Sequence, residues 1–165
     1  SPAANTENAF SPMVRYSTHV QGIGWQANAF DGGMAGTYGQ GLRLEGITLS
    51  LGTIGIPGDI RYKTHIENIG WETSWKSNGD VSGTTGQSLR LEAIQIELTG
   101  EMANRFDVYY RVHCQNIGWM GWAKNGAQAA SAGYGYRLEG IEVRLVPKDG
   151  VAPGETADAF RDRAA

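Results

Sequence analysis

The chain has 165 residues, a formal net charge of −3 and a pI near 5.6, which is enough length for one ordinary domain. It has no basic stripe to displace counterions from nucleic acid, no apolar run long enough to span a bilayer, and one cysteine, Cys114, which cannot form an internal disulfide. The 24 glycines, five tryptophans and seven tyrosines point to a turn-rich fold in which large aromatic rings are either core or contact surface.

Residues 1–13 are polar and proline-bearing and read as an N-terminal linker. Three similar segments follow, covering residues 14–51, 60–98 and 108–145 and offset by 46 to 48 residues. A repeat of that period is one supersecondary unit that cannot bury its apolar face alone. The expectation is therefore a single all-β domain of three units with pseudo-threefold symmetry.

Each unit opens on a strand with period-two alternation. Val14, Tyr16, Thr18 and Val20 share one face, against Arg15, Ser17, His19 and Gln21 on the other. In the second unit Ile60, Tyr62, Thr64 and Ile66 oppose Arg61, Lys63, His65 and Glu67; in the third, Val108, Tyr110, Val112 and Cys114 oppose Tyr109, Arg111, His113 and Gln115. The first face in each set is the predicted core, so the three histidines point away from it, and the lone cysteine reads as a small buried apolar residue.

A glycine–tryptophan step comes next: Gly24-Trp25, Gly70-Trp71 and Gly118-Trp119. Then Asp31-Gly32, Asn78-Gly79 and Asn125-Gly126 mark a tight turn, because such pairs accept positive φ at both central positions. These turns predict a hairpin in the middle of each unit. A glycine-rich bend (Gly36–Gly39, Gly83–Gly86 and the variant Ala130–Gly133) leads into the last strand.

In that last strand the parity breaks. Ile94, Ile96 and Leu98 alternate with Arg90 and Glu92 on their own side, whereas Leu89, Leu91 and Ala93 fall on the other. Either a bulge near Gly46, Ala93 and Gly140 switches the faces, or the charged pair is buried and mutually satisfied. Three such units suit a β-prism, the favoured expectation, or a β-trefoil. Residues 147–165 read as a C-terminal linker with a helical turn or two near Thr156–Arg163, as in a piece excised from a longer protein.

The pattern Tyr-x-x-His, then Ile-Gly-Trp, then Asn-Gly, then Gly-Thr-x-Gly-x-x-Leu-Arg-Leu-Glu, resembles the clostridial hydrophobic repeats with a tryptophan, abbreviated ChW. All three units match; the second does so most closely, while the first has Gly22 where Asn68 and Asn116 stand and the third has Ala130 and Ala132 in its bend. The resemblance implies a secreted or surface protein of a Gram-positive bacterium. It also implies repeats that accompany hydrolase or adhesion domains and bind cell-surface or extracellular polymer without catalytic activity of their own.

The candidate ligand-binding residues recur once per unit. Trp25, Trp71 and Trp119 are either sugar-stacking platforms or core plugs. Trp75 and Trp122 align on the arm before Asn-Gly, where the first unit has Asn28, and that tolerance of asparagine predicts partly solvated rings. His19 with Gln21, His65 with Glu67 and His113 with Gln115 share a face and offer donors and acceptors for sugar hydroxyls, or else bridge to a neighbouring loop. Arg43 with Glu45, Arg90 with Glu92 and Arg137 with Glu139 lie two apart on a strand and either brace each other or grip a hydroxylated ligand. No cofactor or metal is expected, since one histidine per unit lacks converging ligands. No nucleophile triad or phosphate loop is present, so an enzyme is not expected. The reading is a lectin-like, multivalent carbohydrate-binding module for cell-wall or host polysaccharide. The alternative is a protein-binding or structural adhesion module without a sugar site.

Overall fold

The computed structural model describes residues 12–52 and 55–164. Most of the predicted N-terminal linker lies outside these residues, and the first strand already begins at Met13. The first repeat comprises β1 (Met13–Val20), β2 (Gly24–Trp25), β3 (Ala29–Phe30), β4 (Ala35–Gly36) and β5 (Leu44–Gly52). The second has β6 (Ile60–Ile66), β7 (Gly70–Trp71), β8 (Lys76–Ser77), β9 (Ser82–Gly83) and β10 (Leu91–Leu98). A short helix, α1 (Gly100–Arg105), leads to the third: β11 (Phe106–Cys114), β12 (Gly118–Trp119), β13 (Ala123–Lys124), β14 (Ala129–Ala132) and β15 (Leu138–Pro147). A final strand, β16, covers Phe160–Asp162.

In every repeat the long first and last strands pair antiparallel, β1 with β5, β6 with β10 and β11 with β15. The short strand after the turn does not stay at home. β4 pairs with β15 of the third repeat, β9 with β5 of the first and β14 with β10 of the second. Each repeat thus lends an arm to the one before it in cyclic order, and the ring closes. The ladders form three sheets, with no closed barrel among the described residues.

The turns reinforce this exchange. Both central residues have positive φ, for example 44° at Asn78 and 91° at Gly79, as Asn-Gly chemistry predicts. The expected local hairpin is nevertheless absent, because β3, β8 and β13 pair with their own first strands while the chain beyond the turn crosses to a neighbour. The turn glycines dock there too. Gly32 N–H donates to Val143 O, Gly79 N–H to Leu49 O and Gly126 N–H to Ile96 O, each at 2.7 Å.

The predicted alternation holds along the first strands. Tyr16, Tyr62 and Tyr110 are fully buried in one shared core with the aliphatic residues of all three repeats. Their hydroxyls donate to the carbonyls of Gly33, Asp80 and Ala127 just past the turns, which satisfies a buried phenol and pins each arm. Burial pushes the Tyr16 hydroxyl up to about 12, and Tyr62 and Tyr110 also titrate above the ordinary tyrosine range. Cys114 is buried as well; burial raises its thiol to about 11, so it stays protonated.

The bulge reading of the last strand holds, and the buried-pair reading holds for the glutamates only, since Arg43, Arg90 and Arg137 stay partly exposed. The register slips between Leu91 and Ala93, between Leu44 and Gly46 and between Leu138 and Gly140, so the extra residue of each bulge is the glutamate itself. The bulge lets Leu91 and Ile94 both reach the core, and it turns Glu92 into a buried residue that needs partners.

The C-terminal segment differs from its expected form. Thr156–Arg163 is not helical: β16 runs parallel to β14, and the chain before it packs on the third repeat, with Trp122 N–H donating to Glu155 O at 2.8 Å. Residues 147–164 are thus an integral part of the third repeat's packing.

Candidate functional site

The tryptophan of each glycine–tryptophan step sits directly across the ladder from the histidine of the first strand: His19 opposite Trp25, His65 opposite Trp71 and His113 opposite Trp119. The tight reversal between them needs positive φ at Gly22 (72°), Asn68 (64°) and Asn116 (67°), which is why glycine and asparagine interchange there. Cross-strand pairing brings the rings edge to face, with centroids 5.4, 5.5 and 5.4 Å apart.

On its other side each histidine meets the bulged glutamate. His19 Nδ1 lies 3.0 Å from Glu45 Oε1, and His113 Nδ1 lies 3.0 Å from Glu139 Oε1. His65 Nδ1 is as close to Glu92, at 2.9 Å, but off the angle of a hydrogen bond, so that contact is an ion-pair approach only. The second carboxylate oxygen accepts from arginine Nε: Arg43 to Glu45 and Arg90 to Glu92 at 2.8 Å, Arg137 to Glu139 at 2.9 Å. The result is one chain of contacts per repeat, Trp–His–Glu–Arg, with a carboxylate only 5–7 % exposed at its centre. A buried carboxylate held on both sides is tolerable where a lone one is not.

The predicted site residues divide into two groups. Trp25, Trp71 and Trp119 with His19, His65 and His113 face outward. Gln21, Glu67 and Gln115 accept the backbone N–H of Arg43, Arg90 and Arg137 at 3.2, 3.1 and 3.1 Å, and with those arginines they turn toward a common cavity. The glutamates Glu45, Glu92 and Glu139 connect the two groups.

Of the two tryptophans expected to be partly solvated, Trp75 is and Trp122 is not, and the open choice at the glycine–tryptophan steps falls on the side of exposure. Trp25 is 42 % exposed, and Trp71 and Trp119 are half-buried, so none is a core plug. Trp122, expected to be solvated, is buried against Tyr109 and Val146 and under Gly154 of the C-terminal segment. Trp75 is half-buried beneath two cations, Arg61 and Lys63, each 4.9 Å from its ring centre. Alignment identified a shared slot but not the later segment that covers one of its occupants.

Two further contributors were not among the predicted site residues, one from another repeat and one from the same strand as His113. Tyr38, in the bend of the first repeat, is 63 % exposed and sets its ring edge-on to His113, with centroids 5.1 Å apart. The equivalent residues are Thr85 and Ala132, so only the third site gains a second ring. Arg111 stacks over Trp119 at 4.6 Å and over Trp122 at 5.1 Å while its Nε donates to Glu142 at 2.6 Å. Among the described residues no cluster of His, Cys, Asp and Glu is arranged to hold a metal ion, and no helix is long and apolar enough to cross a membrane.

A family model described as Clostridial hydrophobic W matches three tandem copies, at residues 19–52, 65–100 and 113–147, together more than half of the chain. No curated protein and no solved structure matches the chain.

Proposed function

The chain belongs to the Clostridial hydrophobic W (ChW) family, and from that premise we propose that it is a non-catalytic carbohydrate-binding module with a site at each Trp–His pair. The observation that carries this reading is the partly exposed indole held edge-to-face against a histidine at three equivalent places. An aromatic face suits the C–H side of a sugar ring. At the first and third repeats the histidine spends Nδ1 on glutamate, which leaves Nε2 to exchange a hydrogen bond with a sugar hydroxyl. At the first repeat Ser17 stands where Arg111 stacks on Trp119, and Trp25 is the most exposed of the three rings.

Shallow sites of this kind bind weakly, at about the millimolar level, and gain strength when linked sites engage one polymer. That physics fits a module that fastens a larger secreted or surface protein of a Gram-positive bacterium to cell-wall or host polysaccharide. Catalysis is not part of the reading: the recurrent carboxylate is clamped between arginine and histidine, and the single thiol is buried and protonated.

The test is a glycan array that includes peptidoglycan fragments, read with the native chain and with Trp25→Ala, Trp71→Ala and Trp119→Ala singly and together. Each loss is expected to weaken binding about fivefold, the equivalent of about 1 kcal/mol of stacking. If no glycan is retained, or the triple variant binds as the native chain does, the sugar sites fall. The exposed Ile23 and Ile69 beside these tryptophans then support the protein-interface reading.

A further inference from the structure

Equivalent residues of all three repeats line one cavity of about 450 Å3, which places it on the pseudo-threefold axis. Arg43, Arg90 and Arg137 converge there with Gln21, Glu67 and Gln115. The wall is completed by the loops after the glycine bends, at Gly41, Ser88 and Gly135, all with positive φ (66°, 57° and 70°). The repeats interlock around it. A Cβ built on Gly41 would stand 3.2 Å from Arg137 Nη2, and one on Gly135 would stand 3.2 Å from Arg90 Nη2, so an arginine of one repeat reaches the loop of the next.

The wall is rich in donors. Each arginine commits Nε to its own glutamate, and Glu45, Glu92 and Glu139 do not line the cavity. Every Arg–Glu pair is therefore a dipole with its positive end inward. Gln21 and Gln115 spend their carbonyl oxygens on backbone N–H groups, which leaves their amide NH2 groups as donors. Among the described residues no protein acceptor is bonded to the Nη groups of Arg43 or Arg137. Glu67 breaks the symmetry: its Oε1 accepts Arg90 N–H at 3.1 Å and its Oε2 forms an ion pair with Arg90 Nη1 at 2.7 Å.

We propose that this axial cavity binds one oxyanion per chain, a phosphate or sulfate group, free or borne on a sugar, whose oxygens meet the Nη donors of the three arginines. A tetrahedral oxyanion presents three equivalent oxygens about its fourth bond, which matches donors set about a threefold axis. The cavity exceeds the bare ion and accommodates the ester it is carried on. The site is separate from the Trp–His sites and does not rest on the glycan reading. It takes one ligand per chain, whereas they take up to three.

The test is isothermal titration calorimetry of the full chain at low ionic strength with inorganic phosphate, inorganic sulfate and glucose 1-phosphate. One site per chain is expected, weakening as salt rises. Tighter binding of glucose 1-phosphate identifies a sugar ester as the ligand; equal binding of all three identifies the bare oxyanion. Ser88→Asp adds a carboxylate to the wall without touching any Arg–Glu pair, at a φ that aspartate and asparagine accept, and should weaken binding at least about tenfold. Ser88→Asn should bind as the native chain does. Glu67→Gln removes the competing charge, makes the second repeat match the other two and should tighten binding about fivefold. The proposal is overturned if none of the three probes binds. It is equally overturned if Ser88→Asp binds as tightly as Ser88→Asn, or if three sites appear and are lost when Trp25, Trp71 and Trp119 are all replaced by Ala.

Discussion

Gln26 and Met120 follow the tryptophan of the first and third repeats, and the difference between them matches a difference in what caps each repeat's own arm. Gln26 Oε1 accepts Gly36 N–H at 2.8 Å, and Glu72 in the second repeat likewise accepts Gly83 N–H at 3.2 Å. Met120 has no oxygen to offer. The equivalent Ala130 N–H instead donates to Ala159 O at 2.9 Å, in the segment that leads into β16. A backbone donor buried at a sheet edge must find an acceptor, and in the third repeat the C-terminal chain supplies it.

Removing residues 150–165 should therefore destabilise the domain without abolishing the ring of exchanged arms. Trp122 and the Ala130 N–H would both lose their cover, a loss of about 3 kcal/mol from one uncovered large side chain and one orphaned donor. Chemical denaturation with tryptophan fluorescence checks this, with a red shift of the native spectrum expected as Trp122 meets water. Met120→Gln in the truncated chain should recover part of the loss, because the side chain regains the cap that the first repeat uses. Equal stability of the truncated and full chains would show the segment to be dispensable.

Ala130 offers a second, opposite test. It stands where Gly36 and Gly83 stand, and a Cβ on those glycines would come within 2.4 Å of Glu139 O and 2.5 Å of Glu45 O. Ala130 keeps the same left-handed backbone, with φ at 84°. An alanine held there is strained, and Ala130→Gly should stabilise the domain by about 1 kcal/mol, visible as a higher denaturation midpoint. Gly36→Ala should do the reverse and cost more, since its Cβ meets backbone.

Asp107 makes stability depend on acid pH. Burial works to raise its pKa, but the Asn125 side chain, the Asp149 N–H and the ammonium groups of Lys148 and Lys124 outweigh it and hold the carboxyl below its usual range. A carboxylate with a depressed folded pKa contributes stability that is full above its unfolded pKa and lost as pH falls through the folded one. Asp107→Asn should thus cost about 2 kcal/mol at pH 7, the scale of charge-assisted hydrogen bonds, and progressively less toward pH 2. Parallel pH–stability curves for the two chains would refute the assignment.

Much of the frame was legible because it is local. Period-two alternation identified Tyr16, Tyr62 and Tyr110 as core, and the broken parity at Arg90 and Glu92 flagged the bulge to within one residue. Alternation alone leaves open which residue is extra, since Glu92 and Ala93 are adjacent candidates. Other features depend on chain distant in sequence. The burial of Trp122 is decided some thirty residues later, at Gly154 and Glu155. The convergence of Arg43, Arg90 and Arg137 requires three strands from three repeats, and no single repeat contains a sign of it. Asn78-Gly79 reports a turn and nothing about which sheet receives the strand beyond.

The cyclic exchange of arms leads to the last prediction, that no two repeats fold without the third. Deleting residues 100–146 would remove β14, which completes the sheet edge at β10, and β15, on which β4 docks. It would also strand the Gly32 N–H that donates to Val143 O and the Tyr16 hydroxyl that accepts Val143 N–H at 3.1 Å. The two survivors would expose apolar strand faces that the native chain buries in a common core, and the hydrophobic contribution of that core is lost on both sides at once. The expected result is an aggregated or unfolded product, with no cooperative melting transition by circular dichroism and no monomer peak in sedimentation. A soluble, monomeric fragment of two repeats that melts cooperatively would mean that each pair closes on itself, and the ring would then be a consequence of having three repeats rather than a condition for folding.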